Sequence, residues 1–500
     1  MSPSKLAWEE EDFHKWRPLL HLMPASGWLN DPCAPAYNTA TKTYHMGFQW
    51  NPYGSSWGNI SWGAAISKDL VNWEVSPVPS IEPSKIDDPA GVFTGCMVPD
   101  HITKPCRDSD AMTIFYTSAQ RGPVHYTLPY DSGSEALHAA TSSDGGLTWT
   151  RMATNPVLPG PPAHLKVTGW RDPYIFRWPA YDQALGRKPN RGLYGIVSGG
   201  IRGETPTIFL YSIDVEDTLK WTFLTTLLDT GLNVTFHPAS VDFGVNFEVA
   251  NVMTLRDDDD SPHEVVIVGV EGCSLERKHK LNSNCVTRAK RAGRAQKWLC
   301  GSLHQPNTSN TQPQLQIEFE GSLDWGTFYA ANSFFDPVYQ SQIVHGWILE
   351  DDLDPSLQER QGWSGCISFA RSLSMKTYRN VVDVPADFPG FGRRVEADGS
   401  LTLTTLACVP VKRLEKLRGE EMDLCQRIQS LERHRPALDT QSSHGLSAFE
   451  LEVCIELDGV KDGECGIDLY HSQGTYRTAF RQPVLMFHRP FYSNFHHIRL

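Results

Sequence analysis

The chain has 500 residues, 40% hydrophobic and 21% charged, with a formal net charge of -13 and a pI near 5.8. This is ample apolar material for a large core, and two domains is the natural expectation. The acidic balance argues against a nucleic-acid backbone as partner and suits a neutral small-molecule substrate, and no apolar run approaches the length of a membrane span.

Met1 to Asp12 is acidic and carries neither the apolar stretch of a secretory signal nor a basic presequence, so a cytoplasmic location is expected. The eleven cysteines are dispersed, without the paired spacings of a zinc site, which suits a reducing compartment. The first informative stretch is Trp28-Leu29-Asn30-Asp31-Pro32-Cys33-Ala34. Pro32 fixes its own φ and biases Asp31 towards an extended conformation, which holds a carboxylate at a defined angle, as a nucleophile requires. Alone, Asn-Asp-Pro also reads as a turn initiator; what adds weight here is repetition further along the chain.

Strand-like runs and turns dominate up to about residue 408. A Ser-x-Asp turn leading to tryptophan recurs at Ser67 to Trp73, at Ser143 to Trp149 and, more loosely, at Ser212 to Trp221. A second series has the same period: Asn30-Asp31, Thr94-Gly95, Arg171-Asp172, Phe247-Glu248 and Asp324-Trp325-Gly326. Each unit is long enough for a four-stranded antiparallel sheet, and five such units predict an all-β chain with a five-bladed β-propeller over residues 15–395. Equivalent places in different blades converge on the channel, so the period brings Asp31, Asp172 and Glu248 together.

Two regions fit the period poorly. Arg277 to Lys297 holds eight Lys/Arg and no acid, and is expected to be a solvated loop. Residues 396–435 read as a linker in which Val411 to Arg435 has the charged, Leu-spaced look of a short helix. Alternation returns in Phe449 to Leu457, so 436–500 is expected to open a C-terminal β-sandwich that stops short or is incomplete.

The three acids have different surroundings. Asp31 lies among polar groups that favour its ionised form, and Arg171 is expected to keep its neighbour Asp172 anionic. Glu248 lies in Val245-Asn-Phe-Glu-Val-Ala-Asn251, whose apolar residues are expected to raise its pKa towards that of an acid. Each acid singly also reads as a structural carboxylate. Together they suit glycosidic cleavage, in which two carboxyls about 5 Å apart give retention and a wider gap gives inversion.

The ordered motifs resemble those of glycoside hydrolase family 32, the β-fructofuranosidases that include invertases, inulinases and fructosyltransferases. They are Trp28-Leu-Asn-Asp31-Pro, Gln49-Trp-Asn-Pro52, Trp57-Gly-Asn-Ile-Ser-Trp-Gly63, Phe93-Thr-Gly95, Arg171-Asp172-Pro173, Phe247-Glu248, Asp324-Trp-Gly-Thr-Phe-Tyr-Ala330 and Gly362-Trp363-Ser-Gly365. The resemblance implies a propeller followed by a sandwich, Asp31 as nucleophile, Glu248 as acid/base and Asp172 as transition-state stabiliser. It places Asn30, Gln49, Trp57, Thr94 and Arg171 around the fructose. It implies sucrose or fructo-oligosaccharides as substrate, no metal and no organic cofactor; a homodimer is left open.

Asp31-Pro-Cys33-Ala34 and Glu248-Val-Ala-Asn251 depart from the family's usual Asp-Pro-Asn-Gly and Glu-Cys-Pro-Asp, and resemble variants in the fungal branch that contains sucrose-type fructosyltransferases. The C-terminal sandwich is also shorter than the family's. Other readings are a catalytically silent sugar-binding propeller, an exo-inulinase or levanase-type hydrolase, and an inverting arabinan hydrolase. All three carboxylates are present, which favours an enzyme, and the Trp57 to Gly63 stretch argues against the arabinan type.

Overall fold

The computed structural model describes residues 10–98, 111–237, 240–274, 293–304, 312–324, 326–350, 353–381, 390–419, 452–455, 464–470, 477–483 and 496–499. Five antiparallel sheets follow one another along the chain. Blade 1 holds Gly27–Asn38, Thr43–Asn51, Ser61–Ser67 and Trp73–Val75, and blade 2 holds Gly91–Met97, Met112–Ala119, Glu135–Ser142 and Thr150–Arg151. Blade 3 holds Val167–Phe176, Leu193–Ile201, Thr205–Ile213 and Trp221–Thr226, and blade 4 holds Asn246–Arg256, Pro262–Glu271, Arg294–His304 and Gln314–Ser322. Blade 5 begins with Phe328–Asp336 and Ser341–Ile348 and continues outward through Arg371–Val381, Leu401–Pro410 and Gly392–Val395. The innermost strand of each blade packs against those of the two neighbouring blades, which closes a ring.

Apolar side chains are buried between blades rather than in one central core. Trp62 and Tyr116 sit between blades 1 and 2, Trp170, Phe209 and Phe115 between 2 and 3, and Phe247, Tyr194 and Val266 between 3 and 4. Trp298 and Phe328 fill the gap between blades 4 and 5, and Trp28, Trp50 and Trp347 the gap between 5 and 1. The Ser-x-Asp repeat is the outer turn of a blade. Ser67 Oγ accepts the N–H groups of Asp69 and Leu70 while Asp69 accepts those of Val71 and Asn72, and Ser142 with Asp144 forms the same turn in blade 2.

The fifth blade runs further than the expected boundary at 395. Leu401–Pro410 pairs along Arg371–Val381, so part of the expected linker belongs to that sheet. Within the expected helix, Lys412–Leu417 forms a 3-10 helix whose Arg413 lies 4.1 Å over the Tyr339 ring; 420–435 lies outside the described residues. In the C-terminal region Glu452–Ile455 pairs with His496–Arg499, and Glu464–Tyr470 with Arg477–Pro483, both antiparallel. The basic segment differs from expectation at its end. Residues 275–292 lie outside the described residues, but the strand of blade 4 has begun at Arg294, and Lys297 is buried with its Nζ 2.6 Å from Glu320 Oε2 and donating to Val241 O.

Gly362-Trp363-Ser364-Gly365 closes the ring. Trp363 and Ser364 pair in parallel with Gly27 and Trp28, and Trp363 Nε1 donates to Phe13 O. Gly365 has φ +77°, and a Cβ there would stand 2.3 Å from Leu29 O. Gly365→Ala is therefore expected to strain the closure and displace Leu29, next to Asn30-Asp31. Chemical denaturation should show a loss of more than about 1 kcal/mol, and wild-type stability would contradict this account of the closure.

Candidate active site

Every innermost strand carries a bulge at the same level, and those of blades 1 and 3 have a second register shift elsewhere. In blade 1 the pairing passes from Leu29–Trp50 to Pro32–Phe48, which leaves Asn30 and Asp31 opposite Gln49 alone. The same two-against-one arrangement sets Phe93 and Thr94 against Thr117, Asp172 and Pro173 against Val197, Val249 and Ala250 against Val268, and Ala330 and Ala331 against Gly346. In blades 3 to 5 the first bulge residue is left-handed, with φ 61° at Asp172, 46° at Val249 and 51° at Ala330. Each such residue costs about 1–3 kcal/mol, and a β-branched residue like Val249 rarely accepts that conformation.

The three predicted acids take three successive places in this shared motif. Glu248 stands immediately before its bulge, Asp172 is first in its bulge and Asp31 second. The structure therefore brings all three close enough for each to feel another's charge. Thr94 Oγ1 donates to Asp31 Oδ2 at 2.5 Å and accepts from Gln49 Nε2 at 2.5 Å, so blades 1 and 2 orient the Asp31 carboxylate jointly. Asp172 Oδ2 accepts Val249 N–H at 3.0 Å, and Asp172 N–H donates to Thr117 Oγ1 at 2.7 Å. Asn30 is buried with an Oδ1 that has no hydrogen-bond partner among the described residues, and Trp57 is 57% exposed, its ring set edge-on to Phe93 at 6.3 Å.

Arg171 forms the electrostatic centre. Its Nε donates to Glu248 Oε1 at 3.0 Å, NH1 to Glu135 Oε1 at 2.9 Å and NH2 to Glu271 Oε2 at 3.2 Å. Glu135 is itself fixed by Trp170 N–H at 2.8 Å, and Glu271 by Asn246 Nδ2 at 3.0 Å. Tyr329 Oη donates to Glu248 Oε2 at 2.9 Å, and Arg294 lies 5.6 Å from the centre of the Tyr329 ring and 3.6 Å from Glu271 Oε1.

Burial, then the charge of Glu248, pushes Asp31 up to about 7 and Asp172 well above the carboxylate range. Glu248 is lowered: burial opposes ionisation, but Arg171, Arg294 and the Tyr329 hydroxyl together outweigh it. These directions reverse the sequence-based expectation for all three acids. The physical reason is strand alternation, since Phe247 and Val249 point into the core and leave Glu248 facing the guanidiniums. Arg171, adjacent to Asp172 in the chain, spends its hydrogen bonds on Glu135, Glu248 and Glu271 instead.

Sequence reasoning missed Glu135, Glu271, Arg294 and Tyr329. Glu135 and Glu271 stand on non-innermost strands that carry no repeat mark, and Arg294 was counted with the basic segment. Tyr329 had a signal, because it precedes the fifth bulge as Glu248 precedes the fourth. The fifth mark itself is displaced: Asp324 lies ahead of the innermost strand, where it accepts Arg371 NH1 at 2.6 Å. Asn251, a departure from the family pattern, ties blades 4 and 5 by accepting both the N–H and the hydroxyl of Ser333 at 2.7 Å. Cys33 is fully buried beside Trp62 and Val92, with Sγ 3.4 Å from Asp31 O. Among the described residues no group of three or more His, Cys, Asp or Glu is arranged to hold a metal ion.

Residues 21–385 match the glycosyl hydrolases family 32 N-terminal domain. The extracellular exo-inulinase of Aspergillus awamori is 32% identical over 266 residues, covering 47% of this chain and 48% of that protein. The acid beta-fructofuranosidase of Solanum lycopersicum is 26% identical over 402 residues, 76% of this chain and 53% of that one. Among solved structures, the Aspergillus kawachii beta-fructofuranosidase complexed with glycerol superposes with TM-score 0.70 at 27% identity, covering 82% of this chain and 67% of its own. The A. japonicus fructosyltransferase gives 0.69 at 25%, covering 81% and 68%. The chain spans about half the length of the curated relatives it matches.

Asp31→Asn is expected to stabilise the fold at neutral pH. Between about pH 4 and pH 7 the folded state keeps on Asp31 a proton that the unfolded chain has released, so this group's contribution is complete below that window and lost as pH rises through it. The variant should melt higher than wild type at pH 7, by on the order of 1–3 °C, and match it near pH 4. Thermal melts at both values check this, and a lower melting temperature at pH 7 would contradict the raised proton affinity.

Proposed function

The chain belongs to glycosyl hydrolase family 32, and from that membership we propose that it is a retaining β-fructofuranosidase that cleaves sucrose and related β-fructosides by double displacement. The observation that carries the proposal is the set of three carboxylates at or beside the bulges of blades 1, 3 and 4, with Asp31 oriented through Thr94 and Gln49 and Glu248 held between Arg171 and Tyr329. Thr94 occupies Oδ2 of Asp31, which presents Oδ1 to the anomeric carbon of fructose. Glu248 delivers a proton to the departing sugar oxygen and then takes one from the incoming acceptor. Asp172, its Oδ2 committed to Val249, grips fructose hydroxyls with its other oxygen and strengthens that grip as charge develops in the ring. Asn30 Oδ1 is a buried acceptor suited to a substrate hydroxyl, and Trp57 offers an apolar face.

A neutral substrate fits the site. Arg171 already commits its guanidinium to Glu135, Glu248 and Glu271, which leaves little positive charge to attract an added anion. The working form has Asp31 ionised and the proton on Glu248, whereas the field of Arg171 favours the reverse in the free site. Catalysis therefore draws on a minor protonation state of a group of acids that share protons. Water as acceptor gives hydrolysis; a second sucrose gives transfer, and a binding difference of about 1.4 kcal/mol changes that ratio tenfold. We expect transfer to become substantial at high sucrose.

Free glucose and free fructose measured separately, from millimolar to near-molar sucrose, test the proposal. Both should appear, with the glucose-to-fructose ratio rising above one at high sucrose. A ratio fixed at one would mean hydrolysis alone, and no release from any β-fructoside would sink the enzymatic reading.

Glu248→Gln should slow sucrose cleavage by roughly a hundredfold or more while affecting far less the first step on a fructoside whose leaving group needs no proton. The same substitution removes the charge that raises Asp31, so the acidic limb of the rate profile on that activated fructoside should move to lower pH. Equal losses on the two substrates, or an unmoved limb, would remove Glu248 from the acid/base role.

A further inference from the structure

Arg171, Glu248 and Tyr329 each stand immediately before the bulge of their blade, in blades 3, 4 and 5, so the fold sets a guanidinium, a carboxyl and a phenol side by side. Glu248 is bonded on both oxygens, Oε1 by Arg171 Nε at 3.0 Å and Oε2 by Tyr329 Oη at 2.9 Å. The two partners differ in kind. A guanidinium only donates, so a proton on Oε1 would break the bond to Arg171; a phenol both donates and accepts.

We propose that Tyr329, backed by Arg294, is a positioning residue that keeps the exchangeable proton of Glu248 on Oε2, donating to the ionised carboxylate and accepting from the protonated one. In the bond-breaking step the Oε2–H bond opens, its electron pair stays on Oε2, the proton goes to the departing oxygen, and the phenol turns back to donor with its own proton count unchanged. The inference rests on the acid/base reading of Glu248.

Three features of the packing support it. Tyr329 is 3% exposed, so its hydroxyl has little solvent to turn to. Arg294 lies over its ring at 5.6 Å, and a cation on the ring face draws electron density from the phenol and strengthens it as a donor. Gly269 is the cross-strand partner of Glu248, and a Cβ there would stand 2.9 Å from Tyr329 Cζ and 3.0 Å from its Oη. The missing side chain at 269 is the space through which the phenol reaches Glu248. Every blade sends ionisable groups towards this carboxyl: Asp31 from blade 1, His125 and Tyr126 from the blade 2 loop, Arg171 and Asp172 from blade 3, Glu271 and Arg294 from blade 4, and Tyr329 from blade 5. Of these groups, Tyr329 donates to Oε2 at 2.9 Å.

The test is the pH dependence of kcat/KM for sucrose in wild type and Tyr329→Phe. Losing a donor to a carboxylate makes Glu248 harder to ionise, so the basic limb should move to higher pH by about one unit. Turnover of sucrose at the optimum should fall about tenfold, while the first step on an activated fructoside should change by less than about threefold. An unmoved basic limb in a variant that melts like wild type overturns the inference, as do equal losses on both substrates. Gly269→Ala, which retains the phenol but pushes its hydroxyl away from Oε2, should move the limb in the same direction and carries the test if Tyr329→Phe does not fold. A wild type inert on every β-fructoside removes the acid/base reading and this inference with it; an active wild type with an unmoved limb in both variants removes this inference alone.

Discussion

One extra residue at a shared level of each innermost strand is the constraint on which the site depends. In a regular strand, side chains alternate between faces, so a run such as Leu29-Asn30-Asp31-Pro32-Cys33 would send every second residue into the core. The bulge changes that count locally: Leu29 and Cys33 are fully buried between blades, while Asn30 and Asp31 share one place opposite Gln49. Repeated five times at one level, the same device turns Thr94, Asp172, Glu248 and Tyr329 towards a common point. Its cost is three left-handed non-glycine residues, and these are held by their surroundings: Asp172 by Thr117, and Val249 by Asp172 and by packing against Leu29 and Tyr329.

Arg171 supplies the second constraint. Its guanidinium takes carboxylates from blades 2 and 4 while its own strand belongs to blade 3, so it ties three blades together as well as setting the charge of the site. Removing one partner of so buried a group leaves the others uncompensated, typically at about 3–5 kcal/mol. The role implied for Arg171 by sequence, beside the fructose, is thus joined to a structural one. Because acids exceed guanidiniums around the channel, protons are shared within the cluster, and Asp31 and Glu271, each raised to about 7, are where burial and mutual repulsion tell most.

How much of this was legible follows from how local each signal is. The Ser67-x-Asp69 turn and its copy, read at Ser143-Asp144 and built in the structure by Ser142 and Asp144, rest on hydrogen bonds within a few residues, so their period revealed the blades directly. The convergence of Asp31, Asp172 and Glu248 followed from that period alone. Proton affinities did not, because the neighbours that set them come from other blades: Thr94 for Asp31, and Arg171, Arg294 and Tyr329 for Glu248. Asp324 was read as the fifth mark although it belongs to an ion pair with Arg371 ahead of the strand, and Lys297 was read as solvated because its partner Glu320 comes from the next strand of the sheet. Leu401–Pro410 was read as linker because what makes it part of blade 5 is its pairing with Arg371–Val381, a register that composition does not encode.

The central claim is that this geometry makes Asp31, among three neighbouring carboxylates, the one that bonds to the sugar. It is tested most directly by quenching Glu248→Gln in acid during turnover of an activated β-fructoside, then mapping its peptides by mass spectrometry, since that variant should form the intermediate and release it slowly. The account predicts one fructosyl unit on the peptide containing Asp31. The same unit on the peptide containing Asp172, or no adduct while the substrate is being consumed, would contradict it.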